Sequence, residues 1–185
     1  MTDVADPGLE LWERLEAVEG FSMEYIHGEI IITASPNTIH NRIVNLVLDR
    51  FSSQRFTCWS TQAIAIHGYP DRTIPDLTVT GADLADEYFQ VIPSESVLFV
   101  LEVVSPSRPS IRRDYEDKPE IYAQGHIPLY LLVDPNIGTW LLHSDPDSER
   151  GEYRTIHKGS FGELVQLPAP VEASIPTDRF RVYPT

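Results

Sequence analysis

Two acids attract attention because each interrupts a strand-like apolar run. Glu102 lies inside Val97-Leu98-Phe99-Val100-Leu101-Glu102-Val103-Val104, one carboxylate among seven apolar residues. Asp76 follows Pro75 in Thr73-Ile74-Pro75-Asp76-Leu77-Thr78-Val79. A carboxylate in a strand buried on both faces is costly unless a cation compensates it. Two strands that each present one carboxylate make a holder for an oxygen-ligated divalent metal. Lys118, sixteen positions after Glu102, completes an acid–acid–lysine order, with Glu24 and His40 behind it. Each residue also has a plainer reading. Glu102 could be a strand-end acid facing water, Asp76 a turn acid, Glu24 a surface acid on a hairpin and His40 a packing histidine. Lys118 could be a solvated lysine paired with Asp114, worth about 0.3–0.5 kcal/mol.

The chemistry such a set suits is phosphodiester cleavage. Water must attack an anionic phosphorus, and the leaving oxygen must carry negative charge. A divalent ion on two carboxylates answers both needs. A lysine, with an ordinary pKa of about 10.4, is a cation at neutral pH and serves to orient water or stabilise charge.

The elements that would carry these residues follow from periodicity. Apolar residues at 11, 12, 15 and 18 predict a helix over 9–19, with Gly20 as its stop. Alternation over 21–26, a His27-Gly28 turn and Glu29–Thr33 predict a hairpin bearing Glu24. Ser35-Pro36-Asn37 breaks the chain, and a helix is expected over 38–55. Strands are expected over 57–66, 73–80, 97–105 and 127–134, so that Asp76 and Glu102 each lie on a strand. Residues 107–125 read as helical, either kinked at Pro119 or restarting near it with Pro119 in the first turn. Segments 139–143 and 152–157 form a second hairpin around an acidic 144–151 loop. Hairpins first and a strand–helix–strand unit later predict an α+β fold, a mixed sheet flanked by helices.

Bulk properties limit the alternatives. The 185 residues suit one domain, an N-terminal helix over 1–20, a catalytic core over 21–145 and a C-terminal hairpin and tail over 146–185. No long apolar run predicts a membrane span, the acidic N-terminus is unlike a secretory signal, and the lone Cys58 fits a reducing cytoplasm. Net charge is −14, and residues 1–29 hold eight acids against Arg14 alone. Arg108, Arg112, Arg113 and Lys118 cluster within eleven positions, so an anion-binding surface would be local. Neither paired histidine spacing nor several cysteines are present for zinc, and the Asp145–Glu149 acids lack the glycine and terminal acid of a calcium loop.

Pro75-Asp76, Glu102-Val103-Val104-Ser105-Pro106-Ser107, then Asp114, Lys118, Tyr122 and Gly125, then Pro128-Leu-Tyr-Leu-Leu-Val-Asp-Pro135 together resemble the Uma-two family of restriction endonucleases, within the PD-(D/E)XK nuclease superfamily. Met23–Glu29 and Ser35-Pro36…His40 resemble its N-terminal part, so the similarity spans about 20–183. The resemblance implies a restriction-endonuclease-like core, Mg²⁺ (or Mn²⁺) dependence and DNA as substrate. It implies that Asp76 and Glu102 are the metal-binding carboxylates and Glu24 an additional acid. The superfamily pattern wants lysine two positions after the glutamate, where this chain has Val104; the resemblance moves that role to Lys118. A homodimer is expected, since cutting two strands takes two sites. Two other readings stay open at this point, a non-catalytic interaction module on the same fold and a hydrolase of another phosphoester.

Overall fold

The computed structural model describes residues 6–16, 18–34, 36–51 and 55–184. The first five residues, Ser35 and the expected helix end at 52–54 lie outside the described residues. Helix α1 (Pro7–Arg14) begins earlier and ends sooner than its apolar spacing suggests. The Asp6 carboxylate caps it by accepting from the Gly8 and Leu9 amides, and Pro7 suits the first turn. Strands β1 (Phe21–Ile26) and β2 (Glu29–Ala34) form the expected hairpin. Its turn residues His27 and Gly28 both have positive φ, 49° and 84°, as a tight two-residue turn between twisted strands requires. Helix α2 (Thr38–Leu48) is capped by Asn37.

Two expected strands are each divided. The 57–66 segment becomes β3 (Phe56–Trp59) and β4 (Ile64–Ala65), broken where Thr61 turns to φ 56°. The 73–80 segment becomes β5 (Arg72–Thr73) and β6 (Leu77–Gly81). Pro75 has no N–H to give a ladder, so Asp76 sits in a bend between strands and not within one, a correction to the sequence reading. After β7 (Ile92–Pro93) comes the central β8 (Val97–Val103).

The 107–125 stretch is helical in three parts, α3 (Arg108–Arg112), a π-helical turn (Arg113–Asp117) and α4 (Lys118–Gln124). Pro119 explains the wide turn. A proline ring clashes with the carbonyl four residues back, and a π turn relieves that clash. The Lys118 amide reaches back to the Arg113 carbonyl. The Asp114 carbonyl would next need the Pro119 N–H, which does not exist; the Tyr130 hydroxyl donates to it instead, at 2.8 Å. Strand β9 (Leu129–Asp134) follows, then the long hairpin β10 (Thr139–Asp147) and β11 (Glu152–Ser160), and the short hairpin β12 (Leu164–Leu167) and β13 (Ala173–Pro176). The β10 arm extends through the expected acidic loop because Arg154 of β11 pairs with Asp145 and Asp147 across it.

The architecture is α+β. Among the described residues, six strands form a mixed sheet in the order β11-β10-β9-β8-β6-β3, with β8 and β9 parallel and the other pairs antiparallel. A second sheet, β2-β1-β5-β4-β7, has no counterpart in the sequence pattern. The strand alternation of β8 divides the core. Phe99, Leu101 and Val103 join Ile43, Val47 and Phe51 of the α2 side, while Val100 and Val104 join Ile121, Tyr122 and Tyr130 of the α4 side. Glu102 shares the parity of Val100 and Val104, so it faces the helix that carries Lys118. Among the described residues no helix is long and apolar enough to cross a membrane.

Candidate active site

Each site residue is delivered by a different element. Glu102 comes from β8, Lys118 from the start of α4, Glu24 from β1, His40 from α2 and Asp76 from the β5–β6 bend. The π turn keeps Asp114 and Lys118 on the side of the helix that faces β8.

At the centre is the Lys118 ammonium. Its Nζ donates to Glu102 Oε1 at 2.7 Å and lies 3.4 Å from Glu24 Oε1 and 3.5 Å from Asp114 Oδ1. The Tyr122 hydroxyl, one helical turn along, donates to the same Oε1 at 2.5 Å. Glu24 also accepts the Ile74 amide at 2.9 Å, which ties the second sheet to the chain just before Asp76. Lys118, Glu102 and Glu24 are each only 4–5% exposed. Of the expected trio Asp76, Glu102 and Lys118, the last two are in contact and Glu24 joins them, and Pro119 does not hold Lys118 away.

Asp76 is arranged differently. Its Oδ2 accepts the Val103 amide at 2.7 Å and lies 3.0 Å from His40 Nε2. Leu77 pairs with Leu101 in the β6–β8 ladder, so the Asp76 carboxylate ends that ladder by satisfying the next outward amide. Asp76 does not pair with Lys118. It lines with Glu102, Lys118, Asp114, Arg113 and Ser110 a small cavity of about 60 Å³. Its side chain is 23% exposed, which makes it the wet rim of a dry cluster.

The electrostatics follow from burial and count. Burial pushes the Glu102 carboxyl well above the usual carboxylate range; Lys118 opposes this, and Asp76, Asp114 and Glu24 add to it. Burial likewise raises Asp114 to about 6, again against Lys118. Burial alone would lower Lys118, yet the carboxylates of Glu102, Glu24 and Asp114 outweigh it and hold the amine firmly protonated. At full ionisation four carboxylates face Lys118 and Arg113, an excess of two negative charges.

That excess is the first sign that the donor set fits a divalent cation. The second is the bonding pattern. The hydrogen bonds to Glu102 fall on Oε1 and those to Asp76 on Oδ2, leaving one oxygen of each without a protein donor among the described residues. Oxygen donors suit Mg²⁺ or Mn²⁺. Among the described residues no three His, Cys, Asp or Glu side chains converge to hold an ion unaided. Mg²⁺ is commonly held by one or two carboxylates, its other positions being filled by water and substrate phosphate.

His40 packs as its helix position suggests, and it also contacts Asp76. The buried stripe of α2 is His40, Ile43, Val44, Leu46 and Val47, so His40 is the polar member of an apolar helical face. A polar residue at a core-facing position needs a buried partner, and that was the available signal. Asp114 and Tyr122 were visible through their spacing from Lys118, but their contacts with Lys118 and Glu102 were not.

Comparison with known proteins gives a family and a fold. The sequence model of the Uma2 family, described as "Putative restriction endonuclease", matches residues 9–178. No curated protein matches. Among solved structures, the chain is similar to a protein from Anabaena variabilis described as a putative nuclease belonging to DUF820. The match has a TM-score of 0.66 at 18% identity and covers 87% of this chain and 89% of that one. At that identity the likeness shows a shared fold.

Proposed function

The chain belongs to the Uma2 family of putative restriction endonucleases, and from that premise we propose that it is a divalent-metal-dependent endonuclease hydrolysing phosphodiester bonds in DNA. In this reading Asp76 and Glu102 hold Mg²⁺ or Mn²⁺. The observation that carries it is the pair of carboxylates on one small cavity, each with one oxygen committed to the protein and one left over. Bound there, the ion would neutralise phosphate charge and activate a water.

The chain's own residues do the rest. Val103 N–H and His40 hold the Asp76 carboxylate in one orientation. Lys118 and Tyr122 hold Glu102 in place. Glu24 and Asp114 keep the lysine in place. Glu24 acts by positioning, since its distance to Lys118 is longer and its nearer bond is to backbone. Cutting both strands of a duplex would need two such sites, hence a homodimer.

The test is nicking of supercoiled plasmid with and without Mg²⁺ or Mn²⁺. Activity should require the metal and disappear in Asp76→Ala and Glu102→Ala variants that still melt cooperatively. Nicking unchanged in both would reject the reading.

A further inference from the structure

The cation that should meet a substrate phosphate is not the obvious one. Lys118 is surrounded by three carboxylates within 3.5 Å and only 5% exposed, so its charge is already spent inside the protein. Arg113, one position before Asp114, lines the same cavity. Its Nη2 donates to Ser110 Oγ at 3.3 Å, while its Nε is buried and has no hydrogen-bond partner among the described residues. A buried guanidinium N–H without an acceptor is unfavourable, and an anionic oxygen is the partner it suits best.

Ser110 points to the same conclusion. The Ser107 hydroxyl donates to Ser110 Oγ at 2.7 Å, and Arg113 Nη2 donates to it as well. With two donors directed at its oxygen, the Ser110 hydroxyl has its own hydrogen left to give, and it too lines the cavity. The neighbouring Arg112 is paired with Glu116 at 3.4 Å and stands out in solvent, so it does not compete for this role.

We infer that Arg113, braced by Ser110, binds a non-bridging oxygen of a substrate phosphodiester through its Nε–H, with the Ser110 hydroxyl as the second donor. The inference rests on the nuclease reading and adds to it the residues that recognise phosphate. Arg113 is thus a substrate-binding group, distinct from the Lys118 that stabilises the carboxylate cluster.

The experiment measures binding of a fluorescein-labelled duplex oligonucleotide in Ca²⁺, by anisotropy over a range of salt, for the parent protein and for R113M, R113K and S110A. R113M should bind about tenfold more weakly, and its slope of log affinity against log salt should fall by about one. R113K should keep the slope while losing affinity, because it keeps the charge and loses the fixed N–H. S110A should lose affinity with the slope unchanged. A purely structural role would lower the melting temperature and leave the slope alone, which overturns the inference. Equal binding by parent and R113M, or binding by neither, also overturns it. Plasmid nicking by the same proteins separates the two readings. A parent that nicks with metal, alongside an R113M variant equally active and equally tight, sinks the Arg113 assignment and leaves the nuclease standing. A parent that binds through Arg113 but never nicks sinks the nuclease and leaves the phosphate site.

Discussion

Lys118→Met tests whether the buried ammonium holds the site together. It is nearly isosteric and deletes one charge from a cluster in which Glu102, Glu24 and Asp114 all face that charge. Removing one partner of a buried ion pair costs about 3–5 kcal/mol, because the remaining charges stay buried without compensation. For a chain of this size each kcal/mol moves the melting temperature by about 2–4 °C, so a fall of about 6–20 °C is expected. The loss should depend on pH. Lys118 is the group that holds Glu102 and Asp114 down against burial, so without it their folded-state pKa values rise further. An acid whose folded pKa is raised binds more protons folded than unfolded. Its penalty is therefore full at high pH and disappears as pH falls below the unfolded value. The variant should be most damaged near about pH 8 and recover toward about pH 5. Adding Glu102→Gln should recover part of the loss, since one uncompensated carboxylate is gone. Urea denaturation over this pH range is the assay. A loss under about 1 kcal/mol that is also flat with pH would refute the reasoning.

Other outcomes follow from the same contacts. In the metal-free parent, Asp114 is raised from 3.8 to about 6, so its contribution should destabilise the fold as pH climbs through that window, by up to about 3 kcal/mol; differential scanning fluorimetry should show Mg²⁺ or Mn²⁺ stabilising more at about pH 8 than at about pH 5. Tyr122→Phe removes the hydroxyl on Glu102 Oε1 and should cost about 1.5–3 kcal/mol in urea, with no change in helix content by circular dichroism. His40→Ala frees Asp76 Oδ2 from one of its two anchors; calorimetry should find Mn²⁺ affinity about 10–100-fold lower, and unchanged affinity would count against the anchoring role.

What the sequence revealed and what it hid have physical reasons. The apolar run around Glu102 announced a strand buried on both faces, and the His27-Gly28 pair announced its turn, because both signals are local. The second sheet was hidden because β4, β5 and β7 are each two residues long, too short to show a period. The apolar neighbours of Asp76 make it look like a strand residue, but the missing N–H of Pro75 decides the matter. Pro119 gave two options from sequence, and the restart with proline in the first turn is the one adopted, with a π turn before it. The convergence of Glu24 on Lys118 depends on how two sheets meet, a long-range fact that no spacing records. The orphaned Nε of Arg113 and the Asp76–His40 contact are of the same kind.

A crystal soaked in Mn²⁺ and measured at the manganese absorption edge is the direct test of the central claim. An anomalous peak is expected within about 2.0–2.3 Å of one oxygen each from Asp76 and Glu102, with Lys118 still on Glu102 Oε1. A peak bound by other residues, or none at a concentration that supports nicking, would contradict it.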